Sequence, residues 1–156
     1  IRTVGALVGA AERAEALAGG YEARLAEAAA ESAGRPRFKV YFEEWDEPMI
    51  SGIGWVSDLI GFAGGRDVFP HLSREPAAKD RIVTGEQVIA AAPDVILASW
   101  CGKRVNIERI RARPGWSSIP AVVAGRIHEI KSPLILQPGP AALTDGFAAI
   151  RAALAM

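Results

Sequence analysis

V-T-G-E-Q-V-I-A-A-A-P-D-V-I-L-A, Val83 to Ala98, reads as a helix, a stop and a strand in immediate succession. Thr84 and Gln87 stand three apart, the spacing of a capping box, and open a helix that runs to Ala92. Pro93 ends it, because proline lacks the N–H a helix interior needs. Asp94-Val95-Ile96-Leu97-Ala98 is then a continuous apolar run, the pattern of a parallel strand buried on both faces.

The same rhythm extends in both directions. Upstream, Phe38-Lys39-Val40-Tyr41-Phe42-Glu43 alternates and is aromatic-rich, which predicts a strand. Ser51 to Ala63 has helical spacing at Ile53, Val56, Leu59, Ile60 and Ala63, and Gly64-Gly65 closes it. Asp67 to Leu72 reads as a loop or short extended piece. Downstream, Asn106 caps a helix through Arg113, Ala121-Val122-Val123 leads to a turn at Ala124-Gly125, and Arg126 to Ile130 forms a strand. Pro140 to Leu154 is a final helix with Leu143, Phe147, Ile150 and Leu154 on one face. Helices alternating with strands imply an α/β fold in three layers, a largely parallel sheet with helices on both faces.

The first third is different. Ala/Glu/Arg-rich sequence from Val4 to Ala33 carries apolar residues at helical spacing, with a break at Gly9. It reads as a short helix to Gly9 and a long one from Ala10 to Ser32, with Gly34 and Pro36 as the stop. The arm fits a surface helix or a helix connecting two lobes, and it needs a partner surface. The chain opens at Ile1 directly in this pattern and reads as a fragment or a processed chain.

Composition narrows the function. The 156 residues are 50% hydrophobic, enough for a core, and 18 basic residues balance 18 acidic ones. A neutral chain lacks the excess positive charge that nucleic acid or anionic lipid requires. Cys101 is alone, which excludes an intrachain disulfide and a multi-Cys zinc site. No apolar run approaches the roughly 18 residues of a membrane-spanning helix. G-x-S-x-G, P-loop and G-x-G-x-x-G patterns are absent.

In open parallel sheets, ligands sit at the carboxyl ends of the strands. Those ends carry Glu44-Trp45-Asp46, Ser99-Trp100-Cys101-Gly102 and Lys131-Ser132-Pro133. Two tryptophans, carboxylates, a thiol and a lysine converge on one rim, a composition suited to a ligand surface. Glu43 and Glu44 point to opposite faces of a strand and do not form a catalytic pair. An enzyme reading rests on Glu44, or on Cys101 with its thiol lowered by Lys103. His71 and His128 lie in separate contexts, and His128 reads as a structural residue. Arg109, Arg111 and Arg113 read as the solvated face of a helix.

Five stretches carry a family likeness: F-K-V-Y-F-E-E-W-D-E-P (Phe38 to Pro48), G-I-G-W-V-S-D-L-I-G-F-A-G-G-R-D-V-F-P (Gly52 to Pro70), V-T-G-E-Q-V-I-A-A-A-P-D-V-I (Val83 to Ile96), R-P-G-W-S-S-I-P-A-V (Arg113 to Val122) and G-R-I-H-E-I (Gly125 to Ile130). In this order they resemble the periplasmic substrate-binding proteins of ABC importers. The subgroup has a rigid helical backbone between its lobes and takes up cobalamin, ferric siderophores and haem. The cobalamin-binding branch is the nearest likeness. The resemblance implies a remnant of the N-terminal lobe at residues 1–9, an inter-lobe connecting helix at 10–34 and a C-terminal α/β lobe at 35–156, with the N-terminal lobe missing. It implies capture without catalysis or cofactor, a metal-chelate ligand held between lobes, delivery to a transmembrane permease and a periplasmic or extracytoplasmic location.

Glu86 resembles the acid that docks the C-terminal lobe on the permease; it also suits a helix first turn as a capping acid. Trp45 and Trp100 would face a corrin or porphyrin ring. Lys79, Arg81 and Lys131 would favour an anionic ligand, and Gln137 would reach the cleft as a hydrogen-bond donor. Six residues before Glu86, where a cobalamin binder of the family has a tryptophan, this chain has Asp80.

Overall fold

Strand β1 (Phe38–Asp46) is the hub of the sheet in the computed structural model, which describes residues 1–155. The end of the 35–156 segment, Met156, lies outside the described residues. Along its first half β1 pairs in parallel with β3 (Gly65–Asp67), and along its second half it pairs antiparallel with β2 (Met49–Ser51). On its other side it pairs in parallel with β4 (Val95–Ala98), and β4 pairs in parallel with β5 (Ile127–Glu129).

The strands alternate between two cores, as a period of two requires. Val40, Phe42, Val95 and Leu97 pack with Ala28 of α2 (Ala11–Ser32), with Val56, Leu59 and Ile60 of α3 (Gly54–Phe62), and with Phe147 and Ile150. Tyr41, Ile96, Ala98 and Ile127 pack on the opposite face with Val88 of α4 (Gly85–Ala91), Ile110 of α5 (Ile107–Arg111) and Ala121 of α6 (Pro120–Val123). The three-layer, largely parallel α/β architecture is therefore present. A short α7 (Ser132–Ile135) follows β5, and a π-helical turn at Ala142–Gly146 runs into α8 (Phe147–Ala155).

The decisive stretch folds as its residues dictate. Gln87 N–H donates to the Thr84 hydroxyl at 3.3 Å, and Thr84 N–H donates to the Gln87 side chain at 2.8 Å. Ala92 closes α4 in the left-handed region, at φ 46°. In the arm, α1 (Arg2–Leu7) folds back on α2. A Cβ at Gly5 would lie 2.1 Å from the Ala14 methyl carbon, so only glycine permits this approach. Arg2 straps the pair from outside, bonding Glu15 at 2.7 Å and Glu22 at 2.6 Å. Val4, Leu7 and Val8 stay exposed.

Four elements differ from the sequence expectation. β1 continues through Glu44, Trp45 and Asp46, expected as a rim loop, and turns into β2, which takes Ser51 out of the expected helix. β3 starts at Gly65, read only as a helix stop, and ends at Asp67, the first residue of the expected loop or short extended piece. The helix after Asn106 stops at Arg111. The last helix begins as a π-helical turn. The first difference matters most, because an acidic stretch becomes a strand only if its charges are neutralised.

Candidate functional site

Cations from distant segments neutralise every carboxylate of Glu43-Glu44-Trp45-Asp46-Glu47. Glu43 is fully buried on the α4–α6 face. Arg113 grips it with both guanidinium nitrogens, at 2.5 and 3.0 Å, while the Trp100 indole N–H (3.0 Å) and the Tyr41 hydroxyl (3.1 Å) donate to it. Burial, with the Glu43 charge, pushes the Tyr41 hydroxyl well above its usual value, so Tyr41 stays a donor. Glu44 is the bulge residue: the register with β2 steps from Glu43 to Trp45 and leaves it unopposed. It meets the buried Arg81 guanidinium at 2.6 and 3.1 Å, and Arg81 also donates to the Ser51 carbonyl at 2.7 Å. Asp46, its side chain buried, accepts from Lys103 at 2.6 Å and Arg109 at 2.9 Å. Arg109 continues to Glu47 at 2.8 Å.

Two expectations about charge are corrected here. Arg113 does not belong to a solvated helical face but turns inward to Glu43; Arg109 and Arg111 are exposed as expected, Arg111 pairing with Glu108 at 3.3 Å while Arg109 also reaches the buried Asp46. Arg81 is 2% exposed and committed to Glu44, so it is a clamp and offers no open cation to a ligand.

The expected site residues distribute unevenly. Trp45 is half-buried, and its indole N–H donates to the Glu47 carbonyl at 2.9 Å. Trp100 does not offer the flat surface expected of it: it is 3% exposed, with its N–H committed to Glu43. Cys101 is exposed, and the Lys103 ammonium goes to Asp46, not to its thiol. Beside it, Gly102 N–H donates to the Ser132 hydroxyl at 3.4 Å, which joins the β4 and β5 ends. Lys131 is exposed, 3.3 Å from Glu129. Gln137 is exposed beyond α7, and Lys79 is exposed on the turn that Arg81 anchors. Sequence reasoning singled out Lys103 only as a neighbour of Cys101. Its ammonium lies 4.2 Å from the Trp45 ring centre and 5.0 Å from that of Trp100.

Glu86 occupies the first turn of α4. This helix runs into β4 from the rim side, so Glu86 shares the edge with Trp45 and Lys103. Its own backbone N–H and the Thr84 hydroxyl hold its carboxyl below the usual range, so it is charged at neutral pH.

His128, half-buried on β5, keeps its Nε2 buried without a hydrogen-bond partner. Burial, aided by Arg126, pushes its pKa below the ordinary value of about 6.5. The unfolded chain therefore takes up this proton first. The stability contribution of neutral His128 is complete above the ordinary value and declines as pH falls toward the lower folded value. His128→Gln is expected to remove this part of the acid-side loss, measured as urea midpoints between about pH 8 and about pH 5.

Among the described residues, no cluster of three or more His, Cys, Asp or Glu side chains could hold a metal ion. No described helix is long and apolar enough to cross a membrane.

Comparison with solved structures places this architecture. A possible iron-binding periplasmic solute-binding protein from Staphylococcus epidermidis superposes with a TM-score of 0.82 at 19% identity, over 99% of this chain and 60% of that one. The periplasmic heme-binding protein RhuT from Roseiflexus sp. RS-1 gives 0.72 at 25% identity, over 98% and 61%. The vitamin B12 binding protein BtuF of Vibrio cholerae gives 0.61 at 19%, over 86% and 50%. The chain thus spans about 60% of the length of the first two of these structures. No curated relative matches it. The family and these neighbours are solute-binding proteins, not enzymes. A sequence model described as periplasmic binding protein matches residues 1–134, more than half the chain, and the chain belongs to that family.

Proposed function

We propose that this chain is the connecting helix and C-terminal lobe of the solute-binding component of an ABC importer. The full protein captures a large metal chelate between its lobes outside the cytoplasmic membrane and delivers it to a transmembrane permease. Residues 1–9 are then the end of the N-terminal lobe, 10–34 the connecting helix and 35–156 the C-terminal lobe. The exposed Val4, Leu7 and Val8 support that division, since they need a covering surface.

The observation that carries the reading is the rim. The acids of its β1 end, Glu43 to Glu47, are each held by a cation, so none of these four is a free general acid or base. It presents instead a half-buried indole, Trp45, and the exposed ammonium of Lys131 at the β5 end; exposed Lys79 and Gln137, on turns outside the strands, complete the surface in this reading. That combination binds without reacting. A corrinoid is the first ligand, with Trp45 against the ring and Gln137 on its amides. A ferric siderophore or haem is the second reading, favoured by the exposed ammoniums of Lys79 and Lys131.

Titrating the two-lobed protein with cyanocobalamin, haemin and a ferric siderophore, by tryptophan quenching and calorimetry, tests this. Saturable one-to-one binding tighter than about micromolar, roughly −8 kcal/mol, is expected for one of them. Trp45→Ala is expected to weaken that binding at least about tenfold, equal to ~1.4 kcal/mol. Silence from all three ligands overturns the proposal.

Glu86 is the docking acid in this reading. Glu86→Lys is expected to abolish ligand-stimulated ATP hydrolysis by the reconstituted permease while the protein still saturates with ligand. Undiminished stimulation removes Glu86 from the interface.

A further inference from the structure

We propose that Lys103 is the residue with which this lobe selects an anionic ligand, an inference that rests on the binding role of the rim argued above. Three observations converge on it.

First, the ammonium is already placed. It is fixed by Asp46 at 2.6 Å and stacked against Trp45 at 4.2 Å and Trp100 at 5.0 Å. A free lysine loses side-chain freedom when it is immobilised. Here that loss precedes ligand binding, which is the basis of preorganised affinity.

Second, Lys103 does not hold its carboxylate alone. The Asp46 carboxylate has no exposed surface and receives two cations, Lys103 and Arg109. Arg109 also pairs with Glu47, so the two cations and the two acids balance. A ligand oxygen that draws the Lys103 ammonium outward therefore leaves Asp46 still paired, to Arg109.

Third, Lys103 keeps donors to spare. An ammonium has three N–H groups, and Asp46 takes one; the indole rings attract the charge but accept no conventional hydrogen bond. The side chain is 40% exposed, so the remaining donors are within reach of a carboxylate or phosphate oxygen. The other rim cations lack this combination. Arg81 is sealed beneath the surface, Arg113 is 15% exposed, and each spends its fork on one carboxylate. Lys131 is 64% exposed and held only by Glu129.

The ligand class is thus a chelate whose flat body lies against Trp45 and whose acidic substituent meets Lys103. The test compares wild type, Lys103→Met and Lys103→Arg in the two-lobed protein. Haemin serves as the carboxylate-bearing probe and cyanocobalamin as the neutral one, both followed by tryptophan quenching and calorimetry. Arg109 still neutralises Asp46 in Lys103→Met, and a thermal unfolding scan confirms that the variant folds. The expected result is a fall of at least tenfold in the ratio of haemin affinity to cyanocobalamin affinity in Lys103→Met, recovered in part by Lys103→Arg. A ratio that does not move overturns the assignment. So does a wild type that binds cyanocobalamin and not haemin, which leaves the transport reading standing. A wild type that saturates with neither probe, nor with a ferric siderophore, overturns the transport reading itself.

Discussion

Arg113→Met is expected to destabilise the lobe by about 3–5 kcal/mol, the cost of leaving a buried carboxylate without its cation. Glu43 has no exposed surface; among the described residues, the guanidinium supplies two of its four hydrogen bonds and the one opposite charge at contact distance. In the variant, Trp100 and Tyr41 still donate, but neither carries charge. A loss of this size is a large share of the roughly 5–15 kcal/mol that holds a domain folded. Urea unfolding followed by tryptophan fluorescence measures it. The double variant Glu43→Gln with Arg113→Met is expected to recover part of the loss, because a neutral amide can accept from the Trp100 N–H through its oxygen and donate to the Tyr41 hydroxyl through its NH2. A single-variant loss below about 1 kcal/mol would mean that water reaches Glu43 and would refute its burial.

Trp116→Ala is expected to cost a similar amount, about 3–5 kcal/mol, by a different cause. Trp116 is 1% exposed and meets Tyr41 edge-on at 6.2 Å, with the Arg113 guanidinium 4.6 Å over its ring. Removing it opens a cavity beneath the Arg113–Glu43 pair. It also undercuts the start of α4, since a Cβ at Gly85 would lie 3.4 Å from the Trp116 ring nitrogen. Trp116→Phe is expected to recover part of the stability by refilling the cavity. Urea midpoints of the two variants measure the difference. Arg113 and Trp116 touch, so their effects are expected not to add.

Both residues show what was legible in the chain and what was not. The capping box at Thr84, the stop at Pro93 and the apolar run to Ala98 are local signals, and the structure keeps each of them. Alternation at Val40, Tyr41 and Phe42 announced a strand with a core on either side. The carboxyl-end rim follows from parallel topology alone, so its segments could be named from the order of elements.

The roles of the rim residues were hidden, because they depend on partners far away in sequence. Glu43 and Arg113 are 70 positions apart, and Glu44 and Arg81 are 37 apart. Read locally, Glu-Glu-Trp-Asp-Glu is too acidic for a strand, and Arg109, Arg111 and Arg113 belong in solvent. Trp100 looked like a ligand surface because nothing nearby in the chain reveals that Glu43 takes its N–H.

The sequence by itself determined the alternation of helices and strands, their caps and stops, the three-layer α/β class and the edge on which a ligand would sit. Periodicity, capping chemistry and proline act within a few residues, so they can be read from the string. Only the tertiary structure decided that the acidic stretch is a bulged strand, that its charges are matched one by one, and that Lys103 stands against two indoles at the rim. Coulombic pairing and cation–π contact depend on distance in space, and only the folded sheet brings those groups together.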